Sequence, residues 1–365
     1  MINCKKINKI VVNASALRAG GALTILQQFI EAIPNDEFEY LVFVDESVNI
    51  KHKKNNLQIV STNVLSFYKR FIWDAFGLKN WLRHNGIFPI ASISLQNTNF
   101  RLDVKCPNYI YYHQPLPLFN FKWNILKANE RALWFYKNIY PFFVKLFINS
   151  KTQIFVQLDF IKEGFIKKYD FPSERIHVVF PKNEIPIFDE NYNILIQQNK
   201  VNLFYPATAV FYKNHNLLFK SALLIDKQLT KKIVVYFTIS ETDVDLPKNL
   251  TNIEFVFLGK VSYNEVLWMF KHVDVLLFPS YIETLGLPLI EAAYFGLPII
   301  ASNLPYANEV LDGYSGVTYV DYDDPLAWGS EILRIASAKN TKFKSFNKQN
   351  VKSWPELFRL IKREM

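Results

Sequence analysis

Short runs of apolar residues alternate with longer amphipathic stretches along the whole chain. The short runs have the length and the β-branched content of buried strands. The longer stretches, such as 23–33, 214–229, 263–273 and 325–337, repeat apolar residues at helical spacing. The predicted strands are 7–14, 39–45, 56–61, 91–96, 109–114, 153–158, 176–181, 202–207, 232–238, 253–259, 275–280, 298–302 and 316–320. Strands and helices that alternate in this way predict parallel sheets covered by helices on both faces.

A polar stretch without clean periodicity, residues 182–200, interrupts this alternation and is predicted to be a linker. We therefore expect an α/β protein with two doubly wound, Rossmann-like domains of similar size, at 1–181 and 201–340. A tail at 341–365 ends in a short amphipathic helix. Doubly wound sheets bind ligands at the carboxyl ends of their strands, so we expect a ligand in a cleft between the two domains.

Composition places the chain among folded globular proteins. It has 365 residues, of which 50% are hydrophobic and 21% are charged, and this length allows two substantial cores. The two cysteines, Cys4 and Cys106, suggest neither a disulfide framework nor a metal site, which is typical of a reducing cytoplasm. No apolar stretch approaches the length needed to span a bilayer.

Charge is distributed unevenly between the two halves of the chain. Residues 1–181 carry 23 Lys and Arg against 13 Asp and Glu, a net of +10, whereas residues 182–365 carry 19 against 20, a net of −1. A basic half indicates an anionic partner, either nucleic acid or a membrane. In the segment 119–151, six basic residues are interleaved with Trp, Tyr and Phe. This pattern is typical of a helix at a bilayer interface, but a helix whose aromatic residues face the core would show it too.

The most informative chemistry lies in residues 278–300. An apolar run ends there in Pro-Ser, a loop carries Glu283 and Gly286, and Pro288 is predicted to open a helix that carries Glu291. Free amides at the start of a helix suit a diphosphate, and carboxylates accept hydrogen bonds from vicinal sugar hydroxyls. A nucleotide sugar offers both groups in one molecule. The alternative interpretation is a solvated helix face, but Glu291 stands among apolar residues.

This segment resembles the donor-site motif of family-4 retaining glycosyltransferases of GT-B fold. In that family a Pro-Ser pair precedes two glutamates eight residues apart, and Ala and Gly-x-Pro follow. The matching residues here are Glu283, Glu291, Ala292, Gly296 and Pro298. The resemblance implies the GT-B fold, with the C-terminal helix crossing back to the N-terminal domain. It also implies transfer of a hexose-type sugar from a nucleoside-diphosphate sugar, without a metal ion or other cofactor.

The resemblance also implies roles for individual residues. It assigns donor binding to Gly20, Gly21, Thr208, Lys213, Glu283, Thr284, Gly286, Leu287 and Glu291, and catalysis to Lys213, Glu283 and His113. The family usually places an arginine five residues before the lysine; Thr208 stands there instead, so Lys213 has more of the diphosphate to hold. Outside the motif, Lys213 would be interpreted as a helix-entry lysine and His113 as a structural histidine.

The stretch 205–218 is similar to a subgroup that acts on lipopolysaccharide and other surface polysaccharides. We therefore expect a lipid-linked saccharide as acceptor, and a cytoplasmic protein in peripheral contact with the anionic inner face of the membrane. Two alternatives stay open. A GT-B epimerase of nucleotide sugars should be acidic in its first domain, and a protein that binds nucleic acid should carry a recognisable motif, which this chain lacks. We therefore expect no nucleic-acid partner.

Overall fold

The computed structural model describes residues 8–181, 185, 186, 188, 192, 194–338, 342–348 and 351–365. The chain forms two compact units: the first unit comprises Met1–Lys182 and Val351–Met365, and the second comprises Asn183–Asn350. The predicted linker, 182–200, lies partly outside the described residues, as does the start of the predicted tail.

The first unit is built on a parallel sheet with the order β3-β2-β1-β4-β5-β6-β7 among the described residues. Its strands are β1 (Asn8–Asn13), β2 (Phe38–Asp45), β3 (Leu57–Thr62), β4 (Ala91–Ser94), β5 (Asn108–Tyr112), β6 (Thr152–Val156) and β7 (Ile176–Val178). Its helices are α1 (Gly20–Ala32), α2 (Phe67–Ile72), α3 (Leu78–His84), α4 (Arg131–Asn138), α5 (Tyr140–Lys145) and α6 (Asp159–Tyr169). A π-helical turn, Trp73–Gly77, joins α2 to α3.

The second unit repeats this plan with the order β10-β9-β8-β11-β12-β13 among the described residues, again parallel. Its strands are β8 (Val201–Tyr205), β9 (Ile233–Phe237), β10 (Ile253–Phe257), β11 (Val275–Phe278), β12 (Ile299–Ser302) and β13 (Val317–Val320). Its helices are α7 (His215–Ile225), α8 (Tyr263–His272), α9 (Leu287–Tyr294), α10 (Pro305–Val310) and α11 (Pro325–Ser337). The central strands are buried along their length, as expected of parallel sheets covered on both faces.

The last helix, α12 (Trp354–Glu364), belongs to the first unit although the second unit precedes it in the chain. Its Trp354 is 1% exposed and packs edge-on against Phe29 of α1, with ring centroids 5.8 Å apart. The Trp354 indole N–H also donates to Gln28 Oε1 over 3.2 Å. The predicted fold class, with two Rossmann-like units and a final helix that returns to the first, is therefore confirmed.

The predicted strands lie within about two residues of the observed ones, but the helices were predicted less completely. Helix α9 begins at Leu287, so Pro288 is its second residue, whereas the sequence predicted Pro288 as the first. The helical segment from α2 to α3 was not predicted. Because this segment exposes Phe67 and Phe76 while it buries Leu78 and Leu82, its apolar residues mark no single face.

The aromatic residues of the segment 119–151 differ in burial, so they do not all face the core. Tyr140 is buried, as a core-facing helix requires, but Phe142 is 64% exposed. The Lys137 amine is not free at the surface, because it donates to the backbone oxygen of Phe119. Among the residues that the structure describes, no helix is both long and apolar enough to cross a bilayer.

Candidate functional site

The carboxyl ends of β8 and β11 define the candidate site of the second unit. These two strands are neighbours, but the chain leaves β8 towards one side of the sheet and β11 towards the other. At such a switch point the two following loops diverge and leave a crevice, where doubly wound sheets bind their ligands. The loop after β8 carries Lys213, and the loop after β11 carries Glu283.

The loop after β8 is held in place by side-chain hydrogen bonds to backbone oxygens. The Tyr205 hydroxyl donates to the Lys213 backbone oxygen over 2.5 Å. Asn214 adopts a left-handed conformation, φ 63°, immediately before α7. Its side-chain amide donates to the backbone oxygens of Pro279 (3.2 Å) and Tyr322 (2.8 Å), and so ties this loop to the one after β11.

The loop after β11 turns into α9 at Gly286, whose φ of 72° lies in the left-handed region. A side chain there would also crowd Leu289, since an added Cβ would come within 3.2 Å of Leu289 Cδ1. Glycine therefore suits this turn on both grounds. The Leu287 N–H, at the first position of α9, has no partner within its own helix, whereas Pro288 has no N–H and Leu289 donates to the Gly286 backbone oxygen over 2.9 Å. The helix dipole makes this end attractive to an anion.

Lys213 and Glu283 lie 70 residues apart in the sequence and form an ion pair at this crevice. Their side chains keep 18% and 14% of their surface exposed, respectively. The Lys213 amine also lies 5.7 Å from the centre of the Tyr212 ring. The two side chains predicted to act on the donor are thus in direct contact, and both are accessible to a ligand.

Glu291 is buried in the wall of the same region, with 6% of its surface exposed. Its Oε1 accepts a hydrogen bond of 3.0 Å from the hydroxyl of Tyr263, the first residue of α8. Burial raises the pKa of Glu291 to about 7, and the bond from Tyr263 offsets only part of this. Tyr263 was not predicted as a site residue, since it lies 28 residues before Glu291 in the chain.

The remaining predicted donor-site residues of the second unit are placed differently. Thr284 and Leu287 are half-buried near Gly286, while Thr208 is exposed on the loop after β8. The Thr208 backbone oxygen accepts a hydrogen bond of 2.8 Å from Val210 N–H. The structure thus brings Lys213 and Glu283 together and leaves Thr208 at the surface.

In the first unit, His113 follows the carboxyl end of β5. Its Nε2 lies 2.9 Å from the Leu95 backbone oxygen, which can only accept, so Nε2 carries the proton and Nδ1 is left as an acceptor. Burial lowers the pKa of His113 to about 4, so the ring is neutral at pH 7. Gly20 and Gly21 begin α1, and an added Cβ on either would meet no atom within 4 Å.

A buried polar cluster around Asp74, which the sequence analysis missed, lies at the carboxyl ends of β1 and β4. The Asp74 carboxylate accepts from Asn13 Nδ2 (2.8 Å) and Gln96 Nε2 (2.9 Å), and the Arg70 guanidinium lies 3.8 Å away. Burial raises the pKa of Asp74 to about 7 in spite of the Arg70 charge. Gln96 Oε1 in turn accepts from Ala16 N–H over 3.1 Å, so the cluster fixes the loop that leads to Gly20.

The described residues contain no group of three or more His, Cys, Asp or Glu side chains that could hold a metal ion. Asp243, in the stretch Asp243-Val244-Asp245, caps a short turn by accepting a hydrogen bond of 2.9 Å from Ser240 N–H.

Comparison with known proteins finds a domain family that the second unit is similar to. Residues 189–350 match the family model described as "Glycosyl transferases group 1". The chain is 26% identical over 210 residues to the O-antigen chain mannosyltransferase RfbU of Salmonella typhimurium. This similarity covers 54% of the chain and 55% of the relative, so the chain spans about half of that protein's length.

Two solved structures share the whole architecture. Sucrose-phosphate synthase from Thermosynechococcus elongatus superposes with a TM-score of 0.69 at 15% identity, over 98% of both chains. WaaG, a glycosyltransferase involved in lipopolysaccharide biosynthesis, gives a TM-score of 0.66 at 15% identity, over 96% of this chain and 99% of WaaG. At such identities the likeness shows the fold, which is GT-B.

Proposed function

We propose that this protein is a retaining glycosyltransferase that moves a hexose-type sugar from a nucleoside-diphosphate sugar to a saccharide acceptor, without a metal ion. The Lys213–Glu283 ion pair at the switch point of the second unit carries this proposal. It sets a cation and a carboxylate beside the amino end of α9, in the domain that matches the glycosyltransferase model. A cation binds a diphosphate, and a carboxylate accepts hydrogen bonds from the hydroxyls of a sugar.

In the proposed donor complex each charged group takes one part of the donor. Glu291 accepts hydrogen bonds from the ribose hydroxyls, and Lys213 and the amides following Gly286 contact the diphosphate. Glu283 contacts hydroxyls of the transferred sugar, with Thr284 and Leu287 beside it. Thr208, exposed on the same loop as Lys213, replaces a second cation with a hydroxyl. Because Lys213 and Glu283 neutralise each other, both can be held in a partly buried crevice until the donor separates them.

In the proposed reaction the acceptor hydroxyl attacks the anomeric carbon from the side of the leaving group, and the bond from that carbon to the diphosphate oxygen breaks. The bonding electrons leave with the diphosphate, and the acceptor proton passes to a departing phosphate oxygen. Lys213 and the α9 amides stabilise the charge that develops on the diphosphate. Retention of configuration is supported by the resemblance of the motif rather than by a distance.

The acceptor is assigned to the first unit. His113, whose Nδ1 is left as an acceptor, lies at the carboxyl edge of that sheet, where substrates of such sheets bind. Gly20 and Gly21, at the start of α1, keep their predicted role in binding the donor phosphate. The names of the relatives, an O-antigen mannosyltransferase and a capsular polysaccharide glycosyltransferase from Staphylococcus aureus, support a role in building cell-surface polysaccharide. A lipid-linked saccharide is the proposed acceptor.

The first unit also carries a surface suited to a membrane. Ring contacts join Phe67 of α2 to Phe135 of α4 and Phe143 of α5, at 5.0 and 4.9 Å. We call the surface around these contacts the aromatic-basic face; it exposes the apolar residues Phe67, Tyr68, Ile72, Ile125, Leu126, Ile139 and Phe142 and the cations Lys69, Lys122, Lys127, Arg131 and Lys145. Exposed aromatic residues among cations suit the interface of an anionic bilayer, so we propose peripheral contact at the inner face of the cytoplasmic membrane.

The proposed donor site is tested by separating binding from transfer. Glu291→Ala should weaken binding of the nucleoside diphosphate by about 1–3 kcal/mol, or roughly five- to 150-fold, because it leaves ribose hydroxyls unpaired. Glu283→Ala should lower the transfer rate at least about tenfold more than it weakens that binding, because Glu283 contacts the sugar. Glu331→Ala, at a half-buried position of α11 where the carboxylate pairs with Arg334 of the same helix, serves as the matched control.

Calorimetric titration with uridine, guanosine and cytidine diphosphates measures the binding, and release of nucleoside diphosphate in the presence of a lipid-linked acceptor measures the transfer. Equal losses in both assays for the two variants would show that the glutamates share one role. A nucleotide sugar that is epimerised, with no transfer product, would favour the epimerase alternative.

A further inference from the structure

The first unit has a cavity at the amino ends of β4, β5 and β6. This edge of the sheet is opposite to the edge that carries His113. It has a volume of about 470 Å³, which lies in the range of about 300–1,000 Å³ of ligand pockets. Strands of the length of β5 separate the two edges by roughly 13–16 Å, so an occupant here would not touch groups at the carboxyl edge. Nothing in the proposed transfer reaction uses this cavity.

The charged part of its wall is entirely basic. Arg101, Lys105 and Lys151 line the cavity, and no Asp or Glu does. None of the three forms an ion pair with an acidic side chain in the described part of the chain. Asp103 lies in the same loop but outside the wall, where it pairs with Lys79 over 3.2 Å. Three cations around one opening attract an anion with two negative charges, such as a phosphate monoester.

The polar part of the wall is rigid. Asn99, 3% exposed, donates its side-chain amide to Asn108 Oδ1 and to the Phe147 backbone oxygen, each over 2.9 Å. Asn108 also accepts from Thr152 Oγ1 over 2.6 Å. The Asn99 side-chain oxygen has no hydrogen-bond partner among the described residues. Both N–H groups of the Asn99 amide are therefore occupied, and its oxygen is the group left to accept a hydrogen bond from a hydroxyl.

The wall also contains apolar residues, with Phe100 and Phe147 among them. Aromatic side chains pack against the C–H faces of a sugar ring, while amides bind its hydroxyls. We propose that this cavity is a second ligand site, which binds a small phosphorylated sugar: the phosphate at the three cations, a hydroxyl at the Asn99 oxygen and the ring against the aromatic residues. This site does not depend on the proposed transferase activity.

Cys106 makes the proposal measurable, because its half-buried thiol lies in the wall of the cavity. Burial raises the pKa of this thiol, and alkylation requires the thiolate, so labelling is run at alkaline pH. A Cys4→Ser variant leaves Cys106 as the single thiol of the chain. The rate of its alkylation by iodoacetamide is followed by mass spectrometry with glucose 6-phosphate, glucose or inorganic phosphate as the probe.

Glucose 6-phosphate at ten times its dissociation constant, measured by calorimetry, should slow the alkylation about tenfold, by mass action. Glucose and inorganic phosphate at the same concentration should slow it much less. The double substitution Lys105→Gln and Lys151→Gln should abolish the protection, and Lys167→Gln, an exposed lysine on α6, should keep it. Absence of protection, equal protection by inorganic phosphate, or protection that survives the double substitution would each overturn the proposal.

Discussion

Glu291 is a residue that lowers the stability of the fold but is suited to binding a ligand. Its carboxyl group is buried against Tyr263, and its pKa of about 7 means that it loses its proton near neutral pH without gaining a cation as partner. A lone buried carboxylate destabilises a fold. Under the proposed function, the two hydroxyls of a ribose compensate for this, because a carboxylate accepts both.

We therefore expect Glu291→Gln to be more stable than the wild type at about pH 8 but not at about pH 5. The pKa is about 7 in the folded protein against an ordinary value of 4.5, so the folded state holds a proton that the unfolded chain has already released. Stability is then lost as the pH rises from about 4.5 to 7, by up to about 3 kcal/mol from this group.

Denaturant unfolding of both proteins across this pH range measures the difference. Asp74, whose pKa is also raised to about 7, is present in both proteins and cancels in the comparison. A difference in unfolding free energy that stays constant with pH would show that Glu291 is already charged in the folded protein at low pH.

Residues close together in the sequence were the easiest to predict. Glu283 and Glu291 stand in one short motif, so their spacing and their neighbours identified them. Tyr263 precedes Glu291 by 28 residues and reaches it only because α8 and α9 are neighbours in the fold. The sequence contained no local sign of this contact, nor of the Asp74 cluster, which joins residues from β1, the π-helical turn and the loop after β4.

At the scale of elements, the aromatic-basic face gives a direct test of membrane contact. Reversing the charge of four of its five exposed cations, by substitution with glutamate, should abolish sedimentation with anionic vesicles. Each cation near such a surface contributes about 1 kcal/mol. The residues to reverse are Lys122, Lys127, Arg131 and Lys145. Lys137 is left unchanged, since its amine binds the Phe119 backbone oxygen and its loss would disturb the fold.

A matched control reverses four exposed lysines of the second unit, Lys220, Lys227, Lys231 and Lys232. This variant should still sediment with anionic vesicles, and both variants should bind nucleoside diphosphate like the wild type. Equal loss of sedimentation in the two variants would point to total charge rather than to the aromatic-basic face, and a soluble acceptor would then become the better proposal.

Strands were predicted more accurately than helices for a physical reason. A strand such as β11 is apolar at every position, because helices cover both faces of the sheet. The segment from α2 to α3 has no such signature, since it contains a π-helical turn and leaves several large apolar side chains in water. The positions of its apolar residues therefore do not repeat at the helical period.

At the scale of the molecule, the two units should respond separately to the loss of one buried tryptophan. Trp354→Ala should destabilise the first unit by about 3–5 kcal/mol, because the ring fills its core. It should leave the affinity for nucleoside diphosphate unchanged, since the proposed donor site lies in the second unit. Trp328→Ala, which empties an equally buried position of the second unit, should weaken that binding.

Unfolding followed by tryptophan fluorescence, together with calorimetric titration of the nucleotide, distinguishes the two variants. Loss of nucleotide binding in Trp354→Ala would contradict the independence of the donor site from the first unit.

The return of α12 to the first unit has a consequence for the order in which the protein matures on the ribosome. Domains usually fold as they emerge, the earliest first. Here the core that holds Phe29 and Tyr111 lacks Trp354, Leu357, Phe358 and Ile361 until almost the whole chain has been translated. The second unit, although it begins later, has all its strands and helices available sooner. The part of the chain that is made first is therefore the part that must wait longest, with its apolar surface open to chaperones in the meantime.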